Sequence, residues 1–211
     1  MAEMDKNRRQ LATRSASWAK WLGAVLVKTH ISPNQISVLS IVPALMGAWL
    51  LASSQVYKTP LILLLIVLCI QLRLLCNMLD GLVAIEGGKQ SKVGILYNEI
   101  PDRIADSLLI VALGYAIGVP WLGWLGALLA AKTAYIRVLG GANGFAQDFR
   151  GPLAKQHRMF VMSLGCLIAA IEWYTSRTQY ALLITAYVIV IGSGLTCITR
   201  TLAIAEKLKQ L

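Results

Sequence analysis

Carboxylate and amide side chains are concentrated in two neighbouring apolar stretches of the sequence. Asn77 and Asp80 lie in the first stretch, and Asn98, Asp102 and Asp106 lie in the second. Spacings of three and four residues place each group on one face of a helix. Oxygen ligands of this kind suit a hard divalent cation that is bound together with substrate phosphates. We therefore expect a site for Mg2+ or Mn2+ and a phosphate-containing substrate.

The residues around these side chains fit a nucleotide and a phosphoryl-transfer reaction. Glu99 adds a carboxylate beside Asp102. Gly81, Ala84 and Gly94 are small, which allows a nucleotide to approach the backbone. A metal ion that bridges a diphosphate polarises it, and a remaining carboxylate can accept the proton of an attacking hydroxyl.

A group of basic residues follows later in the chain. Lys155 and Arg158 are three residues apart at the start of an apolar stretch, and Arg150 precedes them. Cations beside a nucleotide site can bind the phosphate of an acceptor or of a lipid. Ordinary positive charge at the cytoplasmic ends of membrane spans explains the same residues, and both interpretations stay open.

Membrane helices must position all of these residues. Hydrophobic residues make up 57% of the 211 residues and charged residues 14%, whereas soluble domains have about 25% charged residues. Apolar runs of about 20 residues, the length of a spanning helix, recur along the chain. The predicted spans are residues 36–54, 59–83, 94–118, 120–139, 159–175 and 180–199. We therefore expect an all-α integral membrane protein with one domain, residues 1–211, and a six-helix bundle over residues 36–199.

The distribution of charge predicts the orientation in the membrane. The formal net charge is +10, and only Lys58 and Arg177 lie near the outer ends of the spans. The remaining basic residues are mostly in the N-terminal segment, two loops and the tail, which places both termini in the cytoplasm. Residues 5–28 alternate basic and apolar positions and predict an amphipathic helix on the membrane surface. No basic run is interleaved with aromatic residues, so we expect no nucleic-acid binding.

The spacing of the acidic residues resembles that of a known family. Residues 77–102 read N-x-x-D-G-x-x-A-I-x8-G-x-x-x-N-x-x-x-D. Without a gap, this resembles the CDP-alcohol phosphotransferase signature D-x-x-D-G-x-x-A-R-x8-G-x-x-x-D-x-x-x-D. The Ser32-Pro33-Asn34 sequence before the first span extends the likeness. Members of that family are six-helix membrane enzymes that join a CDP-linked donor, often CDP-diacylglycerol, to an alcohol and release CMP.

The resemblance implies a role for each candidate residue. The implied catalytic residue is Asp102, and Asp106, which lies outside the signature, is a second candidate. The implied metal ligands are Asp80 and Asp102, with Asn77 and Asn98 at the other two Asp positions of the signature and Glu99 as a candidate outside it. The implied nucleotide-binding residues are Asp80, Gly81, Ala84 and Gly94, and the implied acceptor-binding residues are Arg150, Lys155 and Arg158. We also expect a homodimer in a bacterial inner membrane, with the site facing the cytoplasm.

Three positions depart from the family pattern. Asn77 and Asn98 stand at Asp positions, and Ile85 stands at an Arg position that contacts the diphosphate. Glu99 and Asp106 have no place in the signature, and they would restore the lost charge on the same helix. An alternative register that uses Asp106 as the last signature Asp requires a one-turn insertion, so we prefer the ungapped register.

Three other interpretations compete with an enzyme. The carboxylates would only stabilise the bundle if they paired with Arg73, Arg103, Lys132 and Arg137. A non-catalytic protein that binds CDP-lipid or nucleotide is the second, because two formal charges are missing from the site. A transporter with a relay of acids is disfavoured, because the acids crowd at one membrane face and no repeat is evident.

Overall fold

Helices and the turns between them make up the computed structural model, which describes residues 16–54, 59–176, 178 and 180–210. In chain order the helices are α1 (Ser17–Val27), α2 (Pro33–Leu39), α3 (Ile41–Ser53), α4 (Pro60–Glu86), α5 (Gly94–Ala116), α6 (Pro120–Ala142), α7 (Lys155–Thr175) and α8 (Tyr180–Leu208). The described residues contain no strand. The all-α class is therefore confirmed for this part of the chain.

The first predicted span is divided into two helices at Ser40. The α2 helix begins with a capping box, in which the Gln35 N–H donates to Ser32 Oγ at 3.3 Å and the Ser32 N–H donates to Gln35 Oε1 at 2.8 Å. The division follows from Pro43, which has no N–H to bond to the Leu39 carbonyl. The predicted span begins at residue 36, three residues after the start of α2, and the break within the span was missed.

Four helical segments are long and apolar enough to cross a membrane, by length and composition. They are Pro33–Ser53, Pro60–Glu86, Pro120–Ala142 and Tyr180–Leu208. The chain is therefore an integral membrane protein. The helices α5 and α7 follow the other two predicted spans closely but carry most of the ionisable residues of the site. The six-span count and the orientation stay predictions.

The long helices form a closed ring. Contacts run from α3 to α4, then to α7, α8, α6 and α5, and from α5 back to α3. The consecutive helices α4 and α5 make little direct backbone contact, so side chains span the space between them. Buried apolar side chains such as Leu51, Ile66, Leu109 and Met162 fill one part of the ring. The polar side chains of the candidate site fill the part near the α4–α5 loop.

The α1 helix coincides with the second half of the predicted surface helix. Its Trp18 and Trp21 side chains are exposed, while its opposite side packs against α4. The Lys89 ammonium donates to the carbonyls of Val27 at 3.1 Å and Thr29 at 2.8 Å, and so binds the C-terminal end of α1. Residues 5–15 of the predicted helix, together with Lys58 and Arg177, lie outside the described residues.

The α5–α6 hairpin packs backbone against backbone. A Cβ built on Gly123 would lie 2.9 Å from the Gly114 Cα and 2.8 Å from the Val111 carbonyl oxygen. Gly123→Ala is therefore expected to lower the free energy of unfolding by about 1–3 kcal/mol. Gly194→Ala is the matched control and should be neutral, because the nearest atom, Leu129 Cδ1, would lie at 3.9 Å. Equal thermal midpoints of the two variants in one detergent would contradict this expectation.

Candidate active site

Asp102 is the point at which side chains of α4, α5 and α7 meet. Its Oδ1 accepts hydrogen bonds from Arg73 NH2 at 3.2 Å and from Asn77 Nδ2 at 2.8 Å. Its Oδ2 contacts Lys155 Nζ and lies 3.8 Å from Arg103 NH2. The residue is buried, so its charge is balanced by cations of the chain more than by water. Asp102 thus connects the signature helices with the predicted basic group.

Asp106 lies one turn further along α5 and holds two arginines. Its Oδ1 accepts from Arg73 NH2 at 2.6 Å, and its Oδ2 accepts from Arg158 NH2 at 3.2 Å. Arg158 also donates to the Leu153 carbonyl at 2.9 Å and to Thr133 Oγ1 at 3.2 Å. The charged side chains of this group are almost fully buried. Loss of one partner would leave a buried charge uncompensated, which is costly, and we infer that Asp106 mainly anchors the arginines.

Asp80 is the second buried carboxylate of the signature in the site. Ser37 Oγ of α2 donates to its Oδ2 at 2.5 Å. Asp80 is close enough to Asp102 and Lys155 to interact electrostatically with both. Sequence analysis did not identify Ser37. A hydroxyl one turn after the start of α2 could have indicated it.

A groove lies between α2 and α5, and of the residues predicted to contact a nucleotide, Gly94 lies near one of its lining residues. Gly81 is buried, and Ala84 and Gly94 are half-buried. A Cβ built on Gly94 would lie 3.8 Å from Asn34 Oδ1. The groove has a volume of about 500 Å3 and is lined by Ser32, Asn34, Gln35, Val38, Leu39, Val42 and Tyr97. It therefore contains two residues of the Ser-Pro-Asn sequence.

Glu99 and Asn98 are not among the residues that hydrogen-bond to Asp102, which are Arg73, Asn77 and Lys155. Glu99 Oε1 accepts from Arg137 NH2 at 2.5 Å, and Arg137 NH1 donates to Gln147 Oε1 at 2.7 Å. Arg103 lies between the two acids, with NH2 at 4.0 Å from Glu99 Oε2 and 3.8 Å from Asp102 Oδ2. Asn98 is exposed. The structure therefore brings together Asn77, Asp80 and Asp102 of the predicted ligands.

The three basic residues predicted in and after the α6–α7 loop have different ion-pair partners. Lys155 and Arg158 join the acids, whereas the Arg150 side chain is 59% exposed and pairs with Asp148 at 2.6 Å. The Arg200 Nε of α8 donates to the Arg150 carbonyl at 2.9 Å, so α8 holds this loop in place. Sequence analysis missed Arg200, although a basic residue at the end of an apolar span is a functional candidate by default.

The donor set fits a divalent cation held by few protein ligands. Within the described ranges, no three His, Cys, Asp or Glu side chains come together as a metal-binding group. The signature carboxylates Asp80 and Asp102 are close enough to interact electrostatically, and the carbonyl oxygen of Asn77 is a further neutral donor. Mg2+ commonly binds one or two protein carboxylates together with substrate phosphates and water. These residues therefore fit an ion that a substrate diphosphate would help to hold.

Solved structures show the same fold. Phosphatidylinositol phosphate synthase (PgsA1) of Mycobacterium tuberculosis with CDP-DAG bound superimposes with a TM-score of 0.74 at 19% identity, over 90% of this chain and 94% of that chain. The same protein in complex with manganese and citrate superimposes with a TM-score of 0.72 at 19% identity, over 88% of each chain. At this identity the likeness establishes the fold. The predicted resemblance is therefore confirmed at that level, since PgsA1 is a CDP-alcohol phosphotransferase.

A curated sequence relative is a membrane protein. The chain is 27% identical over 152 residues to the inner membrane protein YnbA of Escherichia coli (strain K12), which is 70% of this chain and 74% of that protein. No family model matches the chain. The relative agrees with the integral membrane class that the four apolar segments define.

Proposed function

We propose that this protein is a CDP-alcohol phosphotransferase that transfers a phosphatidyl group from CDP-diacylglycerol to an alcohol and releases CMP. The main support is that Asn77, Asp80 and Asp102, three positions of the signature, come together inside the ring of helices. A protein of the same fold has been solved with CDP-DAG bound. The signature spacing and the fold are independent observations, and both favour this class of enzyme.

The proposed reaction exchanges one phosphorus–oxygen bond for another. The acceptor hydroxyl oxygen bonds to the phosphorus that carries the diacylglycerol, while the bond from this phosphorus to the CMP oxygen breaks. The hydroxyl proton passes to a carboxylate, for which Asp102 is the proposed base, and the electron pair of the broken bond leaves with CMP. Arg73 and Lys155 stabilise the negative charge of Asp102 before transfer.

The proposed cofactor is Mg2+ or Mn2+, held by Asp80 and Asp102 with the Asn77 carbonyl oxygen. When bound, the ion would offset the negative charge of the diphosphate and of the leaving CMP. A manganese complex of PgsA1 supports a divalent ion in this fold. The role of the chain is to present the two carboxylates from α4 and α5 across the interior of the ring.

Basic side chains of the site would bind the substrate phosphates. Lys155 is partly exposed and borders Asp102, which suits the phosphate of an acceptor or of the lipid. Arg73 is fully buried and stays paired with Asp102 and Asp106. The groove between α2 and α5 is the proposed lateral entrance for the lipid donor. We further propose that the site faces the cytoplasm of a bacterial inner membrane and that the protein is a homodimer.

A non-catalytic CDP-lipid-binding protein is the second candidate. The observation that favours it is the occupation of the acids by cations of the chain. Both oxygens of Asp102 and both oxygens of Asp106 already accept hydrogen bonds or ion pairs. Such a protein would bind the CDP-linked lipid without breaking its diphosphate.

A CMP-release assay separates the two candidates. The purified protein in lipid nanodiscs is given CDP-diacylglycerol, Mg2+ or Mn2+, and one alcohol at a time from a panel with glycerol 3-phosphate, inositol phosphate and serine. Release of CMP with one acceptor, dependent on the metal, is the result expected of the enzyme. Binding of CDP-diacylglycerol without CMP release for any acceptor would reject the enzyme in favour of the binding protein.

A further inference from the structure

The number of carboxylates at the signature positions limits how many divalent cations this site can bind. Four Asp residues at the signature positions would carry four negative charges, enough for two divalent ions that share their ligands. In this chain Asn77 and Asn98 leave Asp80 and Asp102 as the carboxylates at these positions. Two negative charges can balance at most one divalent ion.

The neighbouring carboxylates do not restore the missing charge, because arginines of the chain already neutralise them. Glu99 Oε1 accepts from Arg137 NH2 at 2.5 Å. Asp106 accepts from Arg73 at 2.6 Å and from Arg158 at 3.2 Å, and all three of these side chains are buried. Recruiting Asp106 to a metal would leave Arg158 unpaired in a low-dielectric interior, which is strongly unfavourable. Recruiting Glu99, whose side chain is 32% exposed, would break its ion pair with Arg137.

The Lys155 ammonium lies against Asp102, the carboxylate that two metal ions would have to share. Its Nζ contacts Asp102 Oδ2, on the opposite oxygen from the Asn77 amide, which donates to Oδ1 at 2.8 Å. An Asp at position 77 could not donate this hydrogen bond and would repel Asp102. The amide and the ammonium therefore complement each other around one carboxylate. The 27% exposure of the Lys155 side chain leaves it accessible to a substrate phosphate.

We propose that this site binds one divalent cation, between Asp80 and Asp102, and that the Lys155 ammonium takes the place of a second metal ion beside Asp102 and the substrate diphosphate. This assignment, which rests on the proposed function, makes Lys155 a positive charge that needs no metal loading. An ammonium binds phosphate as a point charge. Lys155 lies at the start of α7, which packs against α4.

Counting bound Mn2+ tests this assignment directly. The full-length protein in nanodiscs is titrated with Mn2+ in the presence of CDP, and bound ions are counted from the EPR signal and by elemental analysis. We expect about one Mn2+ per chain in the unaltered protein and about two in the triple variant Asn77→Asp/Asn98→Asp/Lys155→Met, with the line broadening of a close ion pair. Asn143→Asp makes one such amide-to-carboxylate change at an exposed residue at the end of α6, and it should keep about one.

Two bound Mn2+, or none, in the unaltered protein would overturn the assignment, whether or not the triple variant folds. A folded triple variant that still binds one ion would overturn the role of Lys155. CMP release measured on the same samples separates this failure from failure of the proposed function. Two bound ions together with CMP release would reject the single-ion assignment and support the proposed enzyme. One bound ion without CMP release for any alcohol would reject the proposed enzyme and support the single-ion assignment.

Discussion

Asp102→Asn is expected to reduce the rate of CMP release by about 10²–10⁴-fold, the usual contribution of a positioned general base. The amide keeps the size and planarity of the side chain, and its carbonyl oxygen can still accept from Arg73. It cannot accept a proton at neutral pH, and it removes the charge that balances Lys155. The rate is therefore expected to fall further than the binding of CDP-diacylglycerol, which Asp102 supports only as one ligand of the proposed metal ion.

The control for this variant is Glu206→Gln, which makes the same carboxylate-to-amide change at an exposed position of α8. It should retain the full rate. Initial rates of CMP release and the binding of CDP-diacylglycerol would be measured for both variants in the same nanodiscs. A rate for Asp102→Asn that matches the control would reject Asp102 as the base. Equal losses of binding and rate would indicate that Asp102 serves only to organise the site.

The positions of the helices could be predicted, because the length of a run of apolar residues can be read directly from the sequence. The predicted spans 94–118 and 120–139 correspond to α5 and α6, which cover Gly94–Ala116 and Pro120–Ala142. The helices extend beyond the predicted spans at the end that carries the site; α8, for example, continues to Leu208. Hydrophobicity marks where the hydrocarbon ends, whereas helical hydrogen bonds continue past that boundary.

The partners of the candidate residues could not be predicted, because they depend on the order of helices around the ring. Ser37 reaches Asp80 across 43 positions of sequence, and Arg200 reaches the Arg150 carbonyl across 50. The signature located Asp80 and Asp102 correctly in one interior, since its spacing encodes a helix pair. It contained no information on which acids would be paired with arginines.

The structure shows that carboxylates of this region pair with basic residues, and the catalytic site stays a proposal. Arg137 pairs with Glu99, and Arg73 bridges Asp106 and Asp102, as the first interpretation requires. Lys132, which that interpretation also considered, is exposed. Asp80 of α4 and Asp102 of α5 remain as acids at signature positions. The ion pairs that stabilise the bundle therefore lie next to the proposed catalytic residues.

Arg73→Met is expected to destabilise the protein more than any other single change considered above. Arg73 is fully buried and bonds to Asp102 at 3.2 Å and to Asp106 at 2.6 Å. Methionine fills part of the volume but leaves two buried carboxylates with one fewer cation. Removal of one partner of a buried ion pair costs about 3–5 kcal/mol, which corresponds to a fall of about 10 °C in the unfolding midpoint for a chain of this size.

A double variant separates the lost ion pair from lost packing. In Arg73→Met/Asp106→Asn the unpaired carboxylate at position 106 is also removed, so the double variant should be more stable than the sum of the two single changes predicts. The coupling is expected to be about 0.5–3 kcal/mol. Arg150→Met is the matched control, because the exposed Arg150–Asp148 pair should contribute about 0–1 kcal/mol. Strictly additive midpoints in the Arg73 and Asp106 cycle would show that Arg73 stabilises the ring through its packing, and that the charge of Asp106 is compensated by Arg158 alone.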